Sequence, residues 1–123
     1  MKHVPLMAAA LLAALLAGTA HAGDTLAKAA AVGKVVFAYR ESSVPFSYLA
    51  GSDQPVGFSV DLTKAILAEV KKQTGKPGLE VGWQAVTSAN RIPLLVNGTI
   101  DLECGSTTNN SARAKDVDFA INH

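Results

Sequence analysis

Cysteine and histidine are scarce in this 123-residue sequence: Cys104 is the single cysteine, and of three histidines only His123 lies beyond position 21. That poverty excludes a His/Cys metal cluster built from this chain alone. It also excludes a Ser-His-Asp or Cys-His catalytic site, unless the terminal His123 serves. Charge of one sign is missing as well, with 11 basic against 10 acidic side chains, so a nucleic-acid backbone is not an expected partner. No apolar run approaches the roughly 20 residues of a membrane-spanning helix. Arginine is rare beside lysine, present only as Arg40, Arg91 and Arg113.

What is present begins with an export signal. Lys2 and His3 open a basic start, residues 4–17 are an apolar run, and Ala20-His21-Ala22 forms an A-x-A cleavage site. Residues 1–22 are therefore expected to be a signal peptide and residues 23–33 an N-terminal leader or short helix. Residues 34–123 are expected to form the folded unit of an exported protein. No cysteine follows the apolar run, which argues against a lipid-anchored lipoprotein.

Beyond the leader, KVVFAY at 34–39 reads as a buried parallel strand. Loops marked by Pro45, Gly51, Pro55 and Gly57 follow, with room for a short hairpin. Leu62, Ile66 and Val70 recur at helical spacing, predicting a helix over 61–74 that stops near Gly75 and Pro77. LEVGWQAV is a second strand. TSANRIPLLVNG is a second helix, capped by Ser88 or Asn90, with Pro93 in its first turn and Gly98 closing it. TIDLEC is a third strand, and a short helix starts near Ser111. The order β-α-β-α-β predicts an α/β fold whose strands run parallel and end on one shared edge.

Each arginine falls at that edge, one after each predicted strand. Ligands of open α/β sheets bind there, and a planar guanidinium suits bidentate carboxylate recognition. Hydroxyl groups accompany the arginines: Ser88 precedes Arg91, and the polar run GSTTNNS at 105–111 leads to Arg113. Spacing alone leaves two readings open, a carboxylate pocket or a set of surface ion pairs.

The stretches YRESSVPFSY (39–48), GFSVDL (57–62), TSANRIPLLVNGTIDLECGSTTNN (87–110) and the spaced SAR....DFA (111–120) narrow the choice. Together they closely resemble the periplasmic glutamate/aspartate-binding proteins of ABC importers, within the polar amino-acid family of extracellular solute-binding proteins. The resemblance implies one lobe of a type II periplasmic-binding-protein fold, in which two α/β lobes close on an amino acid. It implies that Arg113, helped by Thr108, clamps an α-carboxylate and that Ser106 meets the α-amino group. Arg40, Ser88 and Arg91 resemble the residues that hold the side-chain carboxylate. The implied partners are an acidic amino acid and an inner-membrane permease, for a monomer without cofactor. Chains of the family are longer, their second lobe and a partner cysteine for Cys104 lying beyond the point that His123 marks, and Ala120 stands where a serine is usual. The resemblance thus implies a first-lobe fragment that binds weakly.

Other residues have plainer readings. Asp61 is expected as a helix cap or dipole partner. Asp101 and Glu103 share a strand face by the period-two rule and are expected to be structural. Trp83 belongs to the core, Phe46 either to the core or to a ligand stack. Cys104 is expected to be buried or disulfide-bonded. Asn97 and Asn109 match glycosylation sequons that an exported bacterial type of protein does not use. Two further function classes share such a scaffold: a small-molecule dehydratase, and the sensor lobe of a signalling protein. The first needs an acid or base beside the arginines, where the sequence suggests only Glu41.

Overall fold

The computed structural model describes residues 22–120. The expected signal peptide falls outside them but for Ala22, as does His123. In chain order the elements are α1 (Ala22–Val32), β1 (Lys34–Tyr39), β2 (Ser42–Ser43), β3 (Ser47–Leu49), β4 (Pro55–Val56), α2 (Phe58–Thr74), β5 (Glu80–Ala85), α3 (Arg91–Val96), β6 (Leu102–Glu103) and a 3-10 turn (Arg113–Lys115).

The main sheet has the order β5-β1-β6 with both pairings parallel. Lys34 to Tyr39 lie opposite Glu80 to Ala85, while Phe37 and Ala38 lie opposite Leu102 and Glu103. That register brings Arg40, Val86 and Cys104, the residues after each strand, to one edge. Central β1 is apolar on both faces because each face is covered. Phe37 and Val35 join Ala29 of α1 and Leu79 on one side, against Ile66, Leu67 and Val70 of α2. Ala38 joins Val86 and Ile100 on the other, against Leu94 and Leu95 of α3. Trp83 packs against the first cluster, its ring 5.8 Å from that of Phe37, as expected of a core residue. Burying Phe37, 1% exposed, contributes about 2–3 kcal/mol.

Four boundaries differ from the sequence expectation. Residues 22–32 form a helix whose Ala29 is 1% exposed, so the stretch expected as a leader or short helix packs into the core. Helix α2 begins at Phe58 rather than at 61, because the carbonyls of Pro45 and Phe46 accept the N–H groups of Phe58 and Ser59 at 3.1 and 2.8 Å. Residues 41–56 hold three short antiparallel strands in the order β2-β3-β4, more than a single hairpin. The third parallel strand contracts to Leu102–Glu103, since the Asp101 side chain takes the place of a ladder partner and accepts the Val36 N–H at 2.8 Å.

The remaining stops follow the sequence. Gly75 closes α2 with left-handed φ 66°, and Gly98 does the same after α3 at φ 77°. Asn90 occupies the N-cap position of α3, but its Oδ1 accepts the Thr87 N–H at 2.8 Å instead of capping the helix.

Candidate functional site

The shared strand edge carries all three arginines, each fixed by different means. Arg40 follows β1, and its backbone is locked to β3: its N–H donates to Ser47 Oγ at 2.9 Å, and that hydroxyl donates to the Arg40 carbonyl at 2.7 Å. Ser47 is 1% exposed, so the lock is internal. The Arg40 guanidinium then reaches across the edge, Nη1 donating to Ser88 Oγ at 3.0 Å. Arg113 opens the 3-10 turn, where its N–H donates to Asn110 Oδ1 at 2.9 Å. Its Nη1 donates to the Thr108 carbonyl at 2.8 Å. Two of the pairs expected from the sequence, Arg40 with Ser88 and Arg113 with Thr108, are thus brought together.

Arg91 is different in kind. As the first residue of α3 it is buried, 5% exposed, and its Nη1 lies 3.9 Å from Glu103 Oε1. Burial pushes the guanidinium below the ordinary arginine range, Glu103 resists that shift, and the charges of Arg40 and Arg113 add to it. Arg91 therefore feels both other cations across the strand edge. Glu103 Oε2 also accepts a hydrogen bond from Thr107 Oγ1 at 2.7 Å.

Glu103 corrects the sequence reading, which placed Glu41 alone among acids near the arginines. Glu41 is exposed, whereas Glu103 stands opposite Ala38 in the register and turns its carboxylate toward Arg91. Strand periodicity put Glu103 and Asp101 on one face but held no sign of which charge each meets. Asp101 is structural as expected: Lys28 Nζ donates to its Oδ1 at 2.7 Å and to the Gly98 carbonyl at 3.0 Å. Asp61 lies in the first turn of α2 without a side-chain cap bond.

Beside the edge a cleft of about 640 Å³ opens between Phe46, the N-terminal half of α2, and the 103–108 loop. Ser106 and Thr108, both exposed, line it together with Thr107. Phe46 is 41% exposed on its wall, which places it outside the core. Cys104 is a half-buried free thiol, raised above the ordinary thiol range by burial, with Thr63 and Ser59 hydrogen bonds opposing the shift and Glu103 adding to it. Among the described residues no group of three His, Cys, Asp or Glu side chains is placed to hold a metal, and no helix is long and apolar enough to cross a membrane.

Comparison with known proteins places this architecture. The glutamate/aspartate import solute-binding protein of Salmonella typhimurium is 50% identical over 122 residues, covering 94% of this chain and 40% of the relative. Its counterpart from Escherichia coli is 54% identical over 99 residues, covering 80% of this chain and 33% of the relative. The chain thus spans well under half the length of these curated relatives. Among solved structures, an ancestral cationic amino acid solute-binding protein superposes with a TM-score of 0.66 at 29% identity, over 78% of this chain and 39% of that one. The fold is accordingly type II periplasmic-binding-protein-like. A profile match over residues 35–123 takes in the parallel sheet, the cleft and all three arginines, and by it the chain belongs to the bacterial extracellular solute-binding proteins, family 3.

Proposed function

We infer that this chain is a substrate-binding part of an amino-acid ABC importer, taking L-glutamate or L-aspartate in the periplasm and passing it to an inner-membrane permease. The observation that carries the reading is the gathering of three arginines at one strand edge, two of them bonded to Ser88 Oγ and the Thr108 carbonyl. A ligand with two carboxylates fits such a set better than a neutral one, since buried or clustered cations need counter-charge. In this reading Arg113 and Thr108 hold the α-carboxylate, Ser106 meets the α-ammonium group, and Arg40, Ser88 and Arg91 hold the side-chain carboxylate. Residues 1–22 serve as the signal peptide and 34–123 as the first lobe of a monomer, with the helix over 22–32 packed onto that lobe. The names of the relatives from Salmonella and Escherichia support the same ligand class.

Turnover is not part of this reading. The acid nearest Arg91 is Glu103, whose side chain is 4% exposed, faces that guanidinium and accepts a hydrogen bond from Thr107, so it is engaged as a counter-charge rather than held free as an acid or base. Calorimetric titration of the protein with L-glutamate, L-aspartate and L-glutamine tests the proposal. The acidic pair should bind at least about 10-fold more tightly, because the amide leaves a guanidinium unpaired. Tight glutamine binding with no response to glutamate rejects it.

A further inference from the structure

Arg91 and Glu103 form the one buried pair of opposite charges among the described residues whose facing atoms lack a hydrogen bond. Their side chains are 7% and 4% exposed, yet Nη1 and Oε1 stand 3.9 Å apart and neither atom has a hydrogen-bond partner. The attraction is therefore Coulombic and leaves the Nη1 donors of Arg91 and the Oε1 acceptor of Glu103 unused. The carboxylate is nonetheless held in place. Strand register sets Glu103 beside Ala38, Thr107 Oγ1 donates to Oε2 at 2.7 Å, and Gly105 approaches so closely that a Cβ there would overlap Oε1. Arg40 and Arg113 add two more positive charges nearby, and Glu103 is the negative group that opposes them at Arg91.

We propose that Glu103 is an internal counter-anion, a positioning residue that balances Arg91 in the ligand-free protein and competes with the carboxylate of an incoming acidic ligand for the same guanidinium. The inference rests on the acidic-ligand reading given above. It has a signature of opposite signs: removing the charge leaves Arg91 buried without its counter-ion, which lowers stability, while removing the competitor strengthens anion binding. A purely structural glutamate gives losses in both.

The substitution Glu103→Gln keeps the size of the side chain and an acceptor for Thr107 while removing the charge. The protein and its E103Q variant are melted without ligand, then titrated with L-glutamate and with glutarate, which lacks the α-amino group. E103Q should melt several degrees lower and bind both dicarboxylates about 10-fold more tightly. In an Arg91→Gln background the same change should alter affinity less than about twofold, because the effect runs through Arg91. Unchanged melting, equal or weaker dicarboxylate binding, a gain that persists undiminished without Arg91, or silence toward both ligands in both proteins overturns the proposal. A response to glutarate but not to glutamate rejects the amino-acid reading alone. If E103Q does not fold, the shorter Glu103→Asp carboxylate is titrated in its place. A gain of about threefold is then expected, and any loss overturns the proposal.

Discussion

Gly57 shows how one residue places a wall of the cleft. Its φ of 123° lies in the region that side chains avoid, and a Cβ built there would sit 2.5 Å from the Phe46 carbonyl oxygen and 2.7 Å from that of Pro45. Those two carbonyls start α2, so a methyl group at position 57 displaces both the helix start and Phe46. Gly57→Ala should therefore lower stability by about 2–3 kcal/mol, seen as a reduced urea midpoint with an unchanged m-value. Cys104 carries a second residue-scale expectation. Its thiol is raised in the folded protein, so the neutral form is favoured there, and its contribution is fully present below the thiol range of the unfolded chain. That contribution is lost as pH rises through the raised folded value. Urea midpoints measured from neutral pH upward should fall less steeply in Cys104→Ala than in the parent, and parallel slopes refute the assignment.

At the scale of elements, helix α1 is tied to the turn between α3 and β6 by a single side chain. Lys28 bonds both Asp101 and the Gly98 carbonyl, while Asp101 also receives the Val36 N–H of the central strand. The two ends of this pair are unequal: Lys28 is 46% exposed at its side chain and Asp101 5%. Asp101→Ala strands a part-buried N–H and empties a buried acceptor site, and should cost about 2 kcal/mol, whereas Lys28→Met should cost under about 1 kcal/mol. Chemical denaturation of the two variants checks the order, and equal losses reject it. The parallel strands, both long crossovers and the glycine stops were legible in the sequence because each rests on local periodicity and turn chemistry. The packing of α1 was not, since its small, weakly patterned residues acquire meaning only against Val35 and Phe37.

For the whole molecule the decisive property is charge arrangement. Arg40 and Arg113 are partly exposed at the strand edge, so their pull on an anion is screened by salt. Raising sodium chloride from roughly 0.05 M to roughly 0.5 M should weaken glutamate binding several-fold, and calorimetry that finds no change argues against recognition by these cations. That the three arginines share one edge was legible because each lies in the segment after a strand whose end the β-α-β order predicts. Their unequal character was not legible: Arg40 and Arg113 are bonded to Ser88 Oγ and the Thr108 carbonyl, while Arg91 is buried against Glu103.

Side-chain identity and local spacing dictate which residues can bear charge, where strands and helices begin to repeat, and that three arginines share one edge. Those are short-range properties, set within a few residues by side-chain spacing and backbone preference. Long-range packing sets which acid faces which base, since Arg91 and Glu103 meet where α3 packs on β6. It also decides that Asp101 serves the backbone of β1, 65 positions earlier in the chain. A carboxylate's role depends on the charge and solvent around it, and folding alone brings those together.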